Sequence, residues 1–321
     1  MNEGRAPRQS SRAAAILKPL RDRYYEGVSK PAVTKKTSAA SRRKDPAHAE
    51  RGELAARHST VPKERRRIIA RPAELRVIPI PVANEILPGD SIADKLLESI
   101  HRKRLTLTSG DILVVKHKIV SKSEGRLVDL ATIEPSAESI AWANQYALDA
   151  RVIELALRES RAVIRRKNGV LITETHHGFL CANSGVDVSN VDGGELALLL
   201  PEDPDRSAAK LRRDLKKRTG LNVPVIITDS FGRPWREGLT EFAIGVSGMK
   251  ALRDDRGRRD SHGYKLQASV EAIADELACA AGLVCGKLNR APACIVRGFR
   301  YDGSAGTVRG LLRPRETDLF R

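Results

Sequence analysis

The stretch Asn183-Ser184-Gly185-Val186-Asp187-Val188-Ser189-Asn190 is the polar turn around which the chain is organised, because it lies between two apolar, strand-like segments, 169–173 and 196–200. Hard cations such as Mg²⁺ and Mn²⁺ take oxygen ligands, and small residues let backbone N–H groups approach phosphate oxygens. The stretch offers a carboxylate, hydroxyls and an amide, with glycines nearby. Asp187 is therefore a candidate metal ligand.

A second stretch of the same kind is Val225-Ile226-Ile227-Thr228-Asp229-Ser230-Phe231-Gly232-Arg233. Its apolar start predicts a buried strand, and Asp229 and Ser230 follow at the carboxyl end, where sites on α/β sheets usually form. Asp187 and Asp229 could instead cap turns, because Asp and Asn favour such positions. Two such carboxylates, each near a hydroxyl, favour a shared metal site.

The rest of the chain predicts strands and helices in an irregular order. Ser91 is placed to cap a helix whose apolar residues recur along one face. The run from Ile112 to Lys122 predicts one long strand, and residues 136–165 are predicted to be helical. Further strands are predicted near Leu75, Leu171, Phe179, Phe242 and Ala293, and further helices from Pro204 and over 270–283. Because this order lacks the regular alternation of a doubly wound sheet, we expect an α+β or mixed α/β fold.

The composition is typical of an intracellular globular protein. Of the 321 residues, 41% are hydrophobic, which is enough for a sizeable core. No window reaches the roughly 18 apolar residues of a membrane helix, and no apolar signal core stands near the N-terminus. The four cysteines form no CxxC pair and have no zinc-like spacing, as in proteins with reduced thiols. We therefore expect a cytoplasmic protein without membrane contact.

The net charge of +17 is concentrated in residues 1–70, which hold 18 Lys and Arg against 7 Asp and Glu. The remainder holds 39 against 33, a mildly basic balance that suits an enzyme with anionic substrates. Residues 1–70 are predicted to be a disordered basic arm, and the folded domain is predicted over 74–321. The arm can be a solvated tail, a tether for nucleic acid or another anionic surface, or a segment upstream of the true translation start.

Several common catalytic motifs do not occur in the sequence. It contains neither G-x-x-x-x-G-K-[ST] nor G-x-G-x-x-G, so a bound nucleotide would lie outside the common phosphate loops. No serine stands in G-x-S-x-G, which gives no support to a serine hydrolase of that type. His176 and His177 are predicted to lie on a strand, where adjacent side chains point to opposite faces, so we do not expect both to bind one ion.

Four cations could complete a site for phosphoryl transfer: Lys118, Lys122, Arg233 and Arg236. Divalent metals neutralise phosphate oxygens, and Lys or Arg offsets the charge that develops during transfer. Lys122 is the most specific candidate because it closes the predicted strand that begins at Ile112. The alternative is that Lys122 is only solvated, since lysine is common on strand edges.

A resemblance to a known family rests on the motifs Val120-Ser121-Lys122-Ser123-Glu124-Gly125-Arg126, Gly185-Val186-Asp187-Val188-Ser189-Asn190-Val191, Val225-Ile226-Ile227-Thr228-Asp229-Ser230-Phe231-Gly232-Arg233 and Ala274-Asp275-Glu276. With these motifs, residues 74–321 resemble the coenzyme F420-0:γ-glutamyl ligase family, in the form without the nitroreductase-like domain of some relatives. The basic arm has no counterpart there. The resemblance implies an α+β fold with mixed and antiparallel sheets, assembled as an intertwined homodimer.

The resemblance also implies an activity, the GTP-dependent addition of L-glutamate to coenzyme F420-0. GTP would first phosphorylate the terminal carboxylate of F420-0. The amine of glutamate would then attack the acyl phosphate, form an amide and release phosphate, and later rounds would add γ-linked glutamates. The implied cofactors are Mg²⁺ or Mn²⁺, as two ions, together with K⁺.

Individual residues receive roles from the same resemblance. Asp187 and Asp229 would hold Mg²⁺ or Mn²⁺, Ser230 would contribute to a second ion, and Lys122 would act with the aspartates in catalysis. The implied nucleotide-binding residues are Ala83, Asn84, Glu85, Ile86, His117, Lys118, Lys122, Asn190, Gly286, Lys287 and Leu288. Lys287 stands where some relatives have Gln or Glu, and a charged lysine cannot ligate a metal. Phosphate and water would then hold the second ion, or Lys287 would bind phosphate.

Two other functions compete with this ligase activity. One is a metal-dependent GTP phosphohydrolase that shares the same site, and it would release phosphate without adding a glutamyl unit. The other is a nucleic-acid-binding protein that acts through residues 1–70. An aromatic content of only 4%, and a body without any nucleic-acid-binding motif, disfavour nucleic-acid binding as the main function.

Overall fold

The computed structural model of the protein describes residues 74–188 and 195–319. In chain order, the helices are α1 (Ile92–Arg102), α2 (His117–Ser123), α3 (Ala137–Tyr146), α4 (Ala150–Arg158), α5 (Pro204–Thr219) and α6 (Ile273–Cys285). The strands are β1 (Arg76–Ile80), β2 (Ile112–Lys116), β3 (Leu127–Asp129), β4 (Ser160–Lys167), β5 (Val170–Thr175), β6 (Leu180–Ala182), β7 (Leu196–Leu198), β8 (Val225–Arg233), β9 (Arg236–Ser247), β10 (Arg253–Asp254), β11 (Val270–Glu271) and β12 (Ala293–Arg297). The predicted arm over 1–70 lies outside the described residues. Within them, no helix combines the length and apolar character needed to cross a membrane.

The central element is a five-stranded sheet with the strand order β1-β12-β2-β8-β9. β2 and β8 pair in parallel, and the other neighbours in this sheet pair antiparallel. A three-stranded antiparallel sheet, β4-β5-β6, and the two-stranded pairs β3-β7 and β10-β11 lie outside it. These mixed and antiparallel sheets, combined with helices, confirm the predicted α+β fold.

Both faces of the central sheet are buried, which accounts for its continuous apolar runs. In β2, Leu113 and Val115 pack into one core with α1, α2 and α5, whereas Ile112 and Val114 pack into a second core with α6. The alternation follows from the strand geometry, in which successive side chains point to opposite faces. Each of these four residues is at most 2% exposed, and the burial of each contributes roughly 1.5–3 kcal/mol. The sheet is thus a fixed platform for the residues at its ends.

Local sequence signals set the helix ends. As predicted, Ser91 caps α1, and its hydroxyl accepts a hydrogen bond from the backbone N–H of Asp94 at 3.3 Å. Asp203 caps α5 in the same way, with the N–H of Arg206 donating at 3.0 Å. Gly220 ends α5 with φ 74, a left-handed conformation that glycine adopts without strain.

The predicted strand from Ile112 to Lys122 is wrong beyond Lys116. The chain turns there into α2, which buries Ile119 and Val120 against the core that α1 and α5 share. β-branched residues favour strands only weakly, and tertiary packing overrides that preference. Lys122 therefore lies on a helix rather than at the end of a strand.

Three other boundaries differ from the predictions. The helical segment expected over 136–165 ends at Arg158, and β4 follows with burial that alternates residue by residue, as in a strand with one exposed face. His176 and His177 lie in the turn between β5 and β6, not on a strand. The helix expected from residue 270 begins at Ile273, after the short strand β11.

Candidate active site

The predicted metal-binding residues of the second motif lie at one end of the central sheet. β2 ends at Lys116, which pairs with Thr228 of β8. β8 continues to Arg233, so Asp229 and Ser230 lie within this strand and not, as predicted, at its carboxyl end, because pairing with β9 extends the strand. They do lie past the end of β2. Open α/β sheets bind ligands outside the carboxyl ends of their parallel strands. The parallel pairing of β2 and β8 thus places both residues beyond the carboxyl end of β2.

The first turn of α2 contacts both predicted aspartates. The Nε2 atom of His117 lies 3.2 Å from Oδ1 of Asp229. The Nζ atom of Lys118 lies 2.6 Å from Oδ2 of Asp187. Because His117 and Lys118 are consecutive, a single turn of helix holds two carboxylates that are far apart in the sequence.

His117 is a buried residue, with 2% of its surface exposed. Its Nδ1 atom lies 3.3 Å from the hydroxyl of Ser121, one helical turn later, and this contact orients the ring. Among the described residues Nε2 has no hydrogen-bond partner, and Asp229 is the carboxylate that it faces. The side chain faces Asp229, and the assignment of His117 to a nucleotide pocket stays a prediction.

Asp187 follows a turn that is tied to the smaller sheets. Ser184 adopts φ 53 in this turn, and its hydroxyl donates to the carbonyl of Ala156 at 2.7 Å. The N–H of Ser184 also donates to the hydroxyl of Thr173 at 2.9 Å. Two backbone hydrogen bonds of 3.0 and 2.8 Å then join Asp187 to Leu198. These bonds fix the backbone of Asp187, and its side chain, which is 31% exposed, contacts Lys118.

Cys181 lies between the polar turn and β8. Burial, and to a smaller extent the negative charge of Asp229, raises the pKa of the Cys181 thiol to about 12. The backbone N–H of Gly185 also faces this sulfur. A thiol with such a pKa is protonated at neutral pH and is a poor nucleophile. Because Cys181 is near both Gly185 and Asp229, the turn that carries Asp187 lies close to the strand that carries Asp229.

Glu241 is a buried site residue that the sequence analysis missed. It faces Ser230 across the β8–β9 pair, and 8% of its surface is exposed. Its Oε1 atom accepts a hydrogen bond from the hydroxyl of Ser230 at 2.6 Å and forms an ion pair with Lys116. Its Oε2 atom accepts one from the hydroxyl of Thr228 at 3.0 Å. Its position opposite Ser230 follows from the register of β8 and β9, which no pattern in the sequence indicated.

The predicted nucleotide-binding segments reach the same end of the sheet. Residues 83–86 follow β1, and just before them the N–H of Val82 donates to the carbonyl of Arg290 at 3.2 Å. Residues 286–288 follow α6 and precede β12, whose first residue pairs with Val115 near the end of β2. Both segments therefore lie beside the carboxyl end of β2.

Lys122 connects α2 to the first of these segments. Its ammonium group forms an ion pair with Glu85. Lys118 and Lys122 are four residues apart, so their side chains lie on the same face of α2. Asn190, the remaining predicted contact to the nucleotide, lies outside the described residues.

Arg233 and Arg236 are register partners where β8 turns into β9. The Nη1 atom of Arg233 is buried and has no hydrogen-bond partner in the described part of the chain. Buried polar groups are normally hydrogen-bonded. A phosphate or carboxylate oxygen of a ligand would satisfy this guanidinium nitrogen.

The site offers oxygen donors of the type that a hard cation takes, but not a complete protein cage. Within residues 74–188 and 195–319, no group of three or more His, Cys, Asp or Glu is arranged to hold a metal ion. Mg²⁺ commonly takes one or two carboxylates together with substrate phosphates and water. Asp187 and Asp229 offer oxygens of the kind used in this mode, in which a substrate supplies much of the coordination, and the hydroxyl of Ser230 is a donor for a separate, second ion.

The two neighbouring histidines have structural contacts. The Nε2 atom of His176 lies 3.0 Å from the carbonyl oxygen of Arg158, and that of His177 lies 2.9 Å from the carbonyl oxygen of Pro201. Both line a cavity of about 530 Å³ to which none of the predicted site residues contributes. Their hydrogen bonds hold loops together.

The fold and these contacts define a class of protein, an α+β protein with a cluster of charged side chains at the end of a parallel strand pair. Comparison with known proteins identifies the family within this class. The family model described as F420-0:Gamma-glutamyl ligase matches residues 82–298, a range that includes all the predicted site residues. This chain belongs to the F420-0:gamma-glutamyl ligase family and is a ligase.

Individual relatives support the same conclusion. The chain is similar to the Coenzyme F420:L-glutamate ligase of Methanothermobacter thermautotrophicus, with 44% identity over 236 residues, 73% of this chain and 93% of the relative. The ligase of the same name from Methanopyrus kandleri is 43% identical over 253 residues, 77% of this chain and 98% of the relative. That of Methanocaldococcus jannaschii is 44% identical over 216 residues, 67% of this chain and 86% of the relative. These matches confirm the family resemblance.

Proposed function

We propose that this protein joins L-glutamate to coenzyme F420-0 through an amide bond, with GTP as the phosphoryl donor. Relatives named Coenzyme F420:L-glutamate ligase, which match over nearly their whole length, support the acceptor and the amino acid. The observation that carries the proposal is the contact of the consecutive residues His117 and Lys118 with Asp229 and Asp187. It gathers two carboxylates and a cation at the carboxyl end of parallel strands.

The reaction needs an activated carboxylate, because a free carboxylate is a poor acyl donor. The terminal carboxylate of F420-0 attacks the γ-phosphorus of GTP, which forms an acyl phosphate and GDP. The uncharged amine of glutamate then attacks the carbonyl carbon, and the amine loses a proton as the amide forms. Inorganic phosphate leaves with the electrons of the broken C–O bond. A further γ-linked glutamate can be added to the new terminal carboxylate in the same way.

The residues of the site fit the charge changes in this reaction. In this proposal Asp187 and Asp229 hold Mg²⁺ or Mn²⁺, and Ser230 contributes to a second ion. When bound, such an ion neutralises phosphate oxygens and orients the transferred group. Lys118 and Lys122 project from one face of α2 and offset the remaining charge of the triphosphate.

The nucleotide is proposed to lie between the two loops at this end of the sheet. Residues 83–86 and 286–288 shape its pocket, and His117 and Asn190 belong to its surroundings. Lys287 contacts phosphate in this arrangement, because a charged lysine cannot replace a metal ligand. The proposal also includes a K⁺ ion, to which no residues are assigned.

The protein is also proposed to be a cytoplasmic homodimer. Large apolar side chains are exposed near the turn between β8 and β9, where Trp235 is 84% and Leu239 is 55% exposed. Others are exposed near the end of α6, where Leu283 is 87% and Leu288 is 93% exposed. Exposed apolar surface often marks a protein interface. Light scattering after size-exclusion chromatography gives the mass, and a monomer at micromolar concentration contradicts the dimer.

The deciding experiment is mass spectrometry of F420-0 after incubation with the protein, GTP, L-glutamate and Mg²⁺. We expect a product heavier by one glutamyl unit, with one phosphate released for each unit added. Reactions without GTP, with ATP in place of GTP, or without metal test the nucleotide and the ion separately. Phosphate release without any mass gain would instead show a GTP phosphohydrolase. No change in either substrate would reject both activities.

A further inference from the structure

The hydroxyl of Ser230 can bind a cation only through a lone pair of its oxygen, so its proton needs another acceptor. The structure provides one, because the Ser230 hydroxyl donates to Oε1 of Glu241 at 2.6 Å. We infer that Glu241 is a positioning residue of the metal site. It accepts the hydrogen bond of the Ser230 hydroxyl, so that the lone pairs of the hydroxyl oxygen point toward the ion. This inference rests on the proposed function and assigns a new residue to it.

Glu241 is itself held in place from several sides. Lys116 forms an ion pair with Oε1, and the hydroxyl of Thr228 donates to Oε2 at 3.0 Å. The thiol of Cys279 donates to the backbone carbonyl of Glu241 at 3.2 Å. On α6, Gly282 leaves room for the side chain, since a Cβ there would lie 2.6 Å from Cγ of Glu241. The carboxylate is therefore fixed relative to Ser230.

The same contacts favour positioning over direct coordination. Both carboxylate oxygens of Glu241 already have protein partners, namely Ser230, Lys116 and Thr228. These groups lie toward α6, on the sheet face that Ile226 also occupies. Asp229 follows the opposite alternation along β8 and meets His117 on the other side. Outer partners that orient a ligand typically change metal affinity by about 10–100-fold when they are removed.

The test is a double-mutant cycle on Mn²⁺ affinity. Equilibrium dialysis with Mn²⁺ and a non-hydrolysable imido analogue of GTP gives the bound metal without any turnover. Glu241→Ala and Ser230→Ala should each weaken the binding of an ion about tenfold. If Glu241 acts through Ser230, the double variant binds no more weakly than Ser230→Ala alone, within about twofold.

Thr228→Val is the matched control, because it removes only the hydrogen bond to Oε2, while Lys116 and Ser230 still hold Oε1 in place. Its Mn²⁺ affinity should stay within about twofold of that of the unmodified protein. Thermal melting by circular dichroism checks that each variant folds. If Glu241→Ala does not fold, the cycle runs with Glu241→Gln, which keeps an acceptor oxygen and should give a smaller effect with the same lack of additivity.

Three results would overturn the inference. The first is unchanged Mn²⁺ affinity in Glu241→Ala. The second is a further loss when Glu241→Ala is added to Ser230→Ala. The third is an equal loss in Thr228→Val, which would show a general effect of packing. A failure of the proposed ligation is separate, because it appears as unmodified F420-0 whatever the outcome of the Mn²⁺ cycle.

Discussion

Replacement of Asp229 by asparagine removes one charge from the centre of the site and little else. Asparagine has nearly the same size, and its Oδ1 can still accept the 2.7 Å hydrogen bond that the N–H of Ser230 donates. The lost group is the negative charge that faces His117 at 3.2 Å. The variant therefore separates the charge at this position from its shape.

The structure predicts a small effect of Asp229→Asn on stability and a large effect on activity. The side chain of Asp229 is 16% exposed and keeps a hydrogen bond in the variant, so the free energy of unfolding should change by less than about 1 kcal/mol. For a domain of this size, that is a shift in Tm of at most about 4 °C. A metal ion that a carboxylate holds in place can stabilise the charge of the transition state by several kcal/mol. A loss of about 4 kcal/mol lowers kcat/KM about a thousandfold.

The assay is the initial rate of glutamyl addition to F420-0, followed by liquid chromatography and mass spectrometry over a range of Mg²⁺ concentrations. The matched control is Asp205→Asn, another partly buried aspartate. Burial raises the pKa of Asp205, and its carboxylate accepts N–H bonds from Val246 at 2.7 Å and Val308 at 3.0 Å. This control should keep its rate within about twofold. The reasoning is refuted if Asp229→Asn keeps more than about a tenth of the rate at limiting Mg²⁺, or if both variants lose equally.

Three further predictions test charges and thiols. Lys118→Met removes the ammonium group that lies 2.6 Å from Asp187, so steady-state kinetics should show KM for GTP raised about tenfold, and an unchanged KM contradicts its phosphate role. Hydrogen bonds, first that from the N–H of Ser136, lower the pKa of Glu154 from 4.5 to about 2, so its stabilisation is present above pH 4.5 and is lost as the pH falls toward 2. Urea unfolding of Glu154→Gln should thus show a loss of about 1.5–3 kcal/mol at pH 7 that shrinks below pH 4.5, whereas a constant gap argues against the ionised carboxylate. Iodoacetamide should label the exposed Cys279 before Cys181, whose pKa is raised to about 12; peptide mapping that finds Cys181 labelled first contradicts its burial.

The sequence was sufficient for features that depend on neighbouring residues. An apolar run followed by polar residues located Asp229 and Ser230 on a buried strand, although β8 continues beyond them to Arg233, and a turn with glycines located Asp187. The cap of α1 at Ser91 was also predictable, because a capping serine bonds to an N–H only three residues away. Each of these features is set within a few positions of the chain.

Features that depend on strand register could not be obtained in this way. A bulge shifts the β8–β9 pairing between Ile227 and Thr228. It places Glu241, and not Phe242, opposite Ser230. A shift of one residue turns every following side chain to the other face of a sheet. No local pattern in β9 signals this bulge, so the contact between Glu241 and Ser230 required the structure.

The parallel pairing of β2 with β8 explains why two distant carboxylates both contact the first turn of α2. A chain that leaves the carboxyl end of one strand and enters a parallel neighbour must return along the sheet through a long crossover. In this protein the crossover contains α2 and the polar turn before β7. The crossover starts beside Asp229, so the first turn of α2 lies next to this residue. The polar turn later in the crossover folds back toward α2, and this brings Asp187 to Lys118. A tight hairpin between antiparallel strands would leave no chain to carry the second carboxylate, so the aspartate pair depends on this topology.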